Sequence, residues 1–227
     1  MSTGAKVAIA LAMGLVGLIV LSVLAIALLG DEAETQLEPT GGAIDGGSPP
    51  EDAVVPDGYK LIEGDGVSIA APDDWQELAP DDFEMTPDEL EEAFPGAPPA
   101  FLDQATAAFE QGATLVAFDV DRDFSSNVNV ASFPGEAPLS LLEEQATAQL
   151  EALGGTVVST EPLRVPAGDA LRIEYHLDVA APDGSSVPAD GVQYYVVADG
   201  RTHVVTVTTA DEVGPLAATM INTFRAD

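Results

Sequence analysis

The stretch that decides the fold is Val192–Thr209, which reads VQYYVVADGRTHVVTVTT. Val, Tyr and Thr dominate both of its arms, and β-branched and aromatic residues favour strands. Between the arms lies Asp199-Gly200, a dipeptide typical of the two-residue turn that closes a tight hairpin. The stretch therefore predicts two antiparallel strands, Val192–Ala198 and Thr202–Thr209.

Further strands and helices precede and follow this hairpin. Six more strands are predicted: Tyr59–Glu63, Val67–Ala70, Ala113–Asp121, Asn127–Phe133, Thr156–Arg164 and Ala170–Val179. Four helices are predicted: one from Thr86 to Pro95, one from about Pro99 to Gly112, Leu139–Leu153 with a Ser140/Glu143 capping box, and Gly214–Phe224. Strands joined by short turns pair antiparallel, and helices between strand groups pack on the faces of the sheet. Gly58–Asp227 is therefore predicted to be one α+β domain, an antiparallel β-sheet flanked by helices.

An apolar segment, Val7–Leu29, precedes this domain and contains no charged residue and no proline. As a helix it would be roughly 34 Å long, enough to cross a hydrocarbon core of about 30 Å. Lys6 lies before the segment, whereas Asp31 and Glu32 follow it, which places residues 1–6 in the cytoplasm. We predict a single-pass transmembrane signal-anchor helix, with the domain outside the cell membrane.

Cleavage of this segment as a signal peptide is the alternative. Ala25-Ile26-Ala27 fits the small-x-small pattern of a cleavage site, and cleavage there would secrete the protein. The apolar run before that site is longer than the roughly 7 to 15 residues of a secretory signal, so we favour the uncleaved anchor. Residues 30–57 are rich in Pro, Gly and acidic residues and are predicted to form a disordered linker.

The charge of the chain restricts its partners. The chain contains 39 acidic and 7 basic residues, and all but Lys6 of the basic ones follow the apolar segment, which gives the exported part a formal charge of 6 − 39 = −33. Nucleic-acid binding requires clustered Lys and Arg, so this class of partner is excluded. Cysteine is absent, so no disulfide or thiolate metal site is expected.

Short motifs in a fixed order carry a family resemblance. They are GVSIAAPDDW (Gly66–Trp75), LVAFD (Leu115–Asp119), NVNV (Asn127–Val130), GDAL (Gly168–Leu171), QYYV (Gln193–Val196) and NTF (Asn222–Phe224). Together with the element order, they resemble the LpqN-type envelope proteins of actinobacteria, which belong to the Mog/PsbP-like fold. The resemblance covers Gly58–Asp227 and implies a binding scaffold of the cell envelope without a shared catalytic site. Members of that family are typically lipoproteins attached through a cysteine, which the helix would replace here.

The two histidines give no catalytic or metal-binding pair. Strand alternation places His176 on a polar face with Arg172 and Glu174, and His203 on a face with Val205. The prediction is that the two histidines lie on different sides of the sheet. No G-x-S-x-G motif is present, so we assign no catalytic residue and no cofactor-binding residue.

One spacing of acidic residues suggests a metal ion. Asp119, Asp121 and Asp123 alternate and could offer oxygen ligands to Ca²⁺. The pattern departs from a helix-flanked calcium loop because Phe124 stands at the glycine position and Val130 at the position of the bidentate Glu. The alternative is a solvated strand end that enters a turn.

Trp75, the sole tryptophan, follows a predicted strand in the loop sequence Pro-Asp-Asp-Trp. Two interpretations are open: a structural anchor at the edge of the sheet, or a platform on which a ligand or partner stacks.

These observations predict a membrane-anchored, extracytoplasmic binding module of the cell envelope, which binds a protein partner or a small or lipidic ligand without catalysis. Two alternatives stay open. One is a hydrolytic enzyme that uses carboxylates around a pocket, and the other is a structural envelope protein.

Overall fold

Strands make up most of the described chain. The computed structural model describes residues 54–78, 113–119, 126–180, 186–209 and 211–226. The strands in these ranges are β1 (Tyr59–Gly64), β2 (Val67–Pro72), β3 (Gln76–Leu78), β4 (Ala113–Phe118), β5 (Asn127–Pro134), β6 (Thr156–Val165), β7 (Gly168–Ala180), β8 (Ser186–Ala198), β9 (Arg201–Thr209) and β10 (Arg225–Ala226). The helices in these ranges are α1 (Leu139–Ala152) and α2 (Val213–Ile221).

The strands of the described ranges form two antiparallel sheets. The large sheet has the order β3-β4-β5-β9-β8-β7-β6, and the small sheet has the order β1-β2-β10. The α+β class and the antiparallel pairing are confirmed. The predicted single sheet is wrong, because the β1–β2 hairpin pairs with the short C-terminal strand β10 instead of joining the large sheet.

The β8–β9 hairpin has the predicted turn. Asp199 and Gly200 have φ angles of 51° and 73°, so both central residues are in the left-handed region. A turn with this conformation matches the twist of the strands on either side of it. It sets the register Ala198↔Arg201 and Val196↔His203, which then continues along both strands.

Each face of the large sheet packs against a different layer. On one face, here called the α1 face, Leu142, Ala146 and Leu150 of α1 pack against the sheet. On the opposite face, the α2 face, α2 and the small sheet contribute to a second core. The central strands β5 and β9 are buried on both faces, which explains why small and β-branched residues alternate along them without a solvent side.

The predicted capping box of α1 is wrong. The helix begins at Leu139, so Ser140 lies inside the first turn, and Pro138 precedes the helix without a side-chain cap. The carboxylate of Glu143 instead accepts a hydrogen bond from the Thr160 hydroxyl of β6. The Glu143 carboxylate therefore binds a residue that is distant in the sequence, and not the backbone at the start of its own helix, as the capping-box pattern predicts.

Several predicted segments lie outside the described residues. These are the membrane helix Val7–Leu29, the two helices between Thr86 and Gly112, and the linker 30–57 apart from its last four residues. Neither α1 nor α2, the helices that the described ranges contain, has the length and apolar character needed to cross a bilayer.

Candidate functional site

Five uncharged polar side chains occupy two neighbouring rows on the α1 face of the large sheet. In the first row Asn129 of β5 pairs with Thr206 of β9, which pairs with Gln193 of β8. In the second row Asn127 of β5 pairs with Thr208 of β9. Each of these five side chains is 5% exposed or less. We call them the polar cluster.

Strand alternation places the polar cluster on one face. In the sequence NVNV, Val128 and Val130 contribute to the core on the α2 face, so the two asparagines point to the α1 face. Along β9 the same alternation puts Val207 on the α2 face and puts Thr206 and Thr208 on the α1 face. The cluster was not predicted from the sequence. The regular alternation of an amide or hydroxyl side chain with valine, on two paired strands, is the sequence pattern that could have indicated it.

Hydrogen bonds connect the cluster to two buried tyrosines. The Gln193 Nε2 donates to Thr206 Oγ1 over 3.4 Å, and the Tyr195 hydroxyl donates to Gln193 Oε1 over 3.1 Å. The hydroxyl of Tyr175 is hydrogen-bonded to the side chain of Thr208. Three members of the cluster therefore already have polar partners.

Tyr175 packs directly on the backbone of β8. A Cβ atom at Gly191 would lie 2.1 Å from the Tyr175 Cζ and 2.4 Å from its hydroxyl oxygen. No side chain larger than hydrogen fits there unless the ring moves. Burial raises the pKa of Tyr175 to about 12, and burial also raises the pKa of Tyr195. Both hydroxyls are therefore neutral at physiological pH.

Asn129 differs from Gln193, Thr206 and Thr208. Its side chain is 0% exposed, and neither Nδ2 nor Oδ1 has a hydrogen-bond partner among the described residues. A buried polar group without a partner costs about 1 to 3 kcal/mol, and such groups are uncommon in native proteins. The burial of the Asn129 amide is therefore not compensated by a hydrogen bond within the described residues.

The α2 face carries two polar side-chain pairs on β7 and its neighbour β8, close to the edge strand β6. Arg172 Nη2 lies 2.7 Å from Glu174 Oε2, and the Nδ1 atom of His176 contacts Asp190 Oδ1. The His176 side chain is 58% exposed, which places this pair at the surface.

The predicted separation of the two histidines onto different sides of the sheet is wrong. His176 pairs with Asp190, and His203 pairs with Val196, six positions further along β8. Side chains that are an even number of positions apart on a strand lie on the same face of the sheet, so both histidines lie on the α2 face. The same spacing separates them by about 20 Å along the strand. They are therefore too far apart to act on one atom.

Trp75 lies in the core of the α2 side. It is 4% exposed and packs in the cluster that contains Ile69 of β2 and Ala117 of β4. Lys60 Nζ donates a hydrogen bond to the Trp75 carbonyl oxygen. This burial fits the interpretation of a structural anchor. A ligand or partner contact at Trp75 stays a prediction.

The predicted calcium ligands fall partly outside the described residues. Asp119 follows β4 and is 8% exposed, and its backbone N–H donates to the Ser126 carbonyl oxygen over 2.8 Å. Asp121 and Asp123 lie outside the described residues. Within the described ranges, no three His, Cys, Asp or Glu residues form a group that could hold a metal ion. Calcium binding by the three aspartates stays a prediction.

No protein-family model matches the sequence, and no curated protein matches it. Similar chains occur among solved structures. The solution structure of cyanobacterial PsbP (CyanoP) from Synechocystis sp. PCC 6803 is 14% identical, with a TM-score of 0.48, over 84% of this chain and 100% of that chain. The crystal structure of LpqN from Mycobacterium tuberculosis, described as involved in cell envelope biogenesis, is 10% identical, with a TM-score of 0.42, over 74% of this chain and 89% of that one.

A crystal structure from Bacteroides thetaiotaomicron VPI-5482 is 13% identical, with a TM-score of 0.39. The match covers 71% of this chain and 45% of that one. The structural neighbours thus include PsbP-like and LpqN proteins, at identities that assign neither a family nor an activity. The LpqN-type assignment from the sequence motifs stays a prediction.

Proposed function

We propose that this protein is a membrane-anchored, extracytoplasmic binding module of the cell envelope, which binds a protein or a small or lipidic ligand without catalysing a reaction. We also propose that it is an LpqN-type protein, on the strength of the ordered sequence motifs. The observation that carries the binding function is this ordered set of motifs, because the family that it resembles consists mostly of binding scaffolds without a shared catalytic site.

The proposed location rests on the N-terminal sequence. Val7–Leu29 is long enough and apolar enough to anchor the chain, and Lys6 before it orients the chain with its N-terminus inside. The large negative charge of the part that follows disfavours anionic lipid surfaces as the binding partner. A protein, or a small or lipidic ligand that is not anionic, is therefore the partner class we propose.

The absence of cysteine allows a direct test of the topology. A single introduced cysteine is the only thiol in the chain, so labelling reports on that position alone. In intact cells a membrane-impermeant maleimide should label Ser48→Cys, and should label Ser2→Cys only after permeabilisation. Labelling of Ser2→Cys in intact cells contradicts the orientation. A mature protein that begins at Leu28 contradicts the anchor.

Cross-linking in intact cells, followed by purification of the full-length protein, tests the binding function. We expect one reproducible partner, retained when an unrelated membrane helix replaces Val7–Leu29 and lost when Gly58–Asp227 is deleted. Native mass spectrometry of the same preparation detects a small ligand that is carried along. If neither a partner nor a ligand accompanies the protein, the binding function is wrong.

A further inference from the structure

We propose that residues 79–112, the connection between β3 and β4, dock on the part of the α1 face that β3, β4 and the start of β5 form, here called the β4 half. The helix predicted from about Pro99 to Gly112 packs its apolar side there and completes a third core. This packing does not depend on the proposed binding function. It makes the polar cluster part of the interior, so that a partner binds to other surfaces.

The helix α1 lies toward the opposite edge of the sheet. It packs mainly on β6 and β7, and the carboxylate of Glu143 accepts a hydrogen bond from Thr160 of β6. In the strand order, β4 lies four strands from β7, which corresponds to roughly 19 Å. A helix is only about 10 Å across. The layer over the β4 half therefore has to come from another part of the molecule.

Two apolar side chains on β3 and β4 are buried outside both described cores. Leu78 pairs with Val116, and these residues are 0% and 1% exposed. The neighbours of Val116 in β4, Leu115 and Ala117, contribute to the core on the α2 face, so Val116 and its partner Leu78 point to the α1 face. Neither of them belongs to the core beneath α1 or to the core on the α2 face. Their burial indicates a covering layer that is apolar where it meets them.

Buried amides border the same part of the face. Asn129 pairs with Val116, and Gln145 and Gln149 lie on the side of α1 that is turned away from Glu143 and β6. The amide oxygen of each of the three residues is buried without a hydrogen-bond partner among the described residues. Buried polar groups in native proteins are hydrogen-bonded as a rule. We therefore expect the covering layer to supply polar groups as well as apolar ones.

The connection 79–112 starts and ends beside the β4 half. It follows Leu78, the last residue of β3, and leads to Ala113, the first residue of β4. Because β3 and β4 are antiparallel neighbours, both ends of the connection lie at the same end of these strands. The opposite face is already occupied there, since a Cβ atom at Gly64 of β1 would overlap the carbonyl oxygen of Thr114. The α1 face is the side that this connection can cover.

The sequence of the connection has a suitable apolar side. The residues that recur at the spacing of one helix side are Phe101, Leu102, Ala105, Ala108 and Phe109. Such a helix is stable when its apolar side is buried against another apolar surface. A second copy of the chain is a less suitable occupant, because each copy carries a formal charge of −32 and the two repel each other.

A spin label on the connection tests the proposal in the full-length protein in detergent solution. The chain has no cysteine, so a nitroxide attaches to Ala107→Cys alone, on the polar side of the predicted helix. We expect the methyl resonances of Leu78 to lose intensity and those of Leu163, on the distant strand β6, to keep it. The matched control is a label at Ala148→Cys, an exposed position of α1, which should attenuate Ile173 of β7 more than Leu78. Equal intensities of Leu78 and Leu163 with the label at position 107 overturn the proposal.

Mixed samples identify the molecule that covers the face. Spin-labelled protein without isotopes is mixed with isotope-labelled protein that carries no spin label. We expect the Leu78 resonances of this mixture to keep their intensity, because the connection covers the face of its own chain. Attenuation of Leu78 in the mixture shows that a second copy covers the face and overturns the proposal.

Two substitutions of the same kind test which side of the predicted helix is buried. Ala105 lies at the centre of the apolar side, and Ala107 lies on the opposite side. Ala105→Glu should lower the melting temperature and shift the methyl resonances of Leu78 and Val116, because it places a charge in the core. Ala107→Glu adds the same charge and should change neither. If Ala105→Glu also leaves both unchanged, the apolar side is not buried and the proposal is wrong.

Discussion

The hydroxyl oxygen of Ser132 lies 2.9 Å from Nδ1 of His203, across the pairing of β5 with β9. The His203 side chain is 1% exposed, and its ring meets the ring of Phe224 edge-on at 5.7 Å. Burial, together with the nearby charge of Arg201, lowers the pKa of His203.

The lowered pKa of His203 predicts a loss of stability in mild acid. The folded-state pKa lies below the unfolded value of about 6.5, so below that pH the unfolded chain binds a proton that the folded chain resists. Stability is therefore fully present above about pH 6.5 and falls as the pH decreases. Relative to His203→Gln, the wild type should lose stability from pH 7 to pH 5 in urea titrations.

The comparison with His203→Gln at each pH removes the contribution of the many carboxylates, which both proteins share. The same comparison in a His176→Gln background excludes any contribution of the other histidine, and the difference between the His203 and His203→Gln proteins should persist there. Parallel curves for the wild type and His203→Gln would show that His203 does not resist protonation.

The contact of Tyr175 with Gly191 predicts a strong effect of one methyl group. Gly191→Ala should destabilise the fold by about 1 to 3 kcal/mol, because the new Cβ would overlap the ring. Gly214→Ala is the matched control, since a Cβ there meets nothing within 4 Å and alanine favours a helix. Urea unfolding measures both. In a Tyr175→Ala background the cost of Gly191→Ala should fall, and an unchanged cost would show that the ring is not its cause.

The sole tryptophan makes the interpretation of Trp75 as an anchor measurable by fluorescence. A buried indole should give blue-shifted emission and weak quenching by acrylamide, and both should revert when urea unfolds the chain. Trp75→Ala should cost about 3 to 5 kcal/mol. Strong quenching in the native protein would instead indicate an indole open to ligands.

The hydrogen bond from Thr160 to Glu143 predicts an energetic link between α1 and β6. Thr160→Val should destabilise the protein by about 1 to 2 kcal/mol, because it removes a hydrogen bond to a charged group. Glu144→Gln, at the exposed neighbouring position, should change stability by about 0.5 kcal/mol or less. A double-mutant cycle of Thr160→Val with Glu143→Ala, which removes the acceptor, measures the coupling, and additive effects would contradict a direct interaction.

Much of the fold was predictable because the relevant signals are local. The Asp-Gly turn between two runs of Val, Tyr and Thr set the hairpin and its register. The alternation of side chains along β8 puts the neighbouring Tyr194 and Tyr195 on opposite faces, and the two rings pack in different cores. The strands β3 and β10 were not predicted, because two or three residues contain too little pattern to indicate a strand.

By itself, the sequence determined which residues alternate along each strand, where the tight turn falls and the antiparallel α+β class, since these depend on neighbours within a few positions. Only the tertiary structure decided which side chains of different strands lie on the same face of the sheet. It placed both histidines on the α2 face and gave the Glu143 carboxylate to Thr160. It also buried Asn129 beside residues of β9 and β8, where the hydroxyl and amide groups bond to one another. Such outcomes depend on the pairing of strands that are far apart in the chain, which local periodicity does not encode.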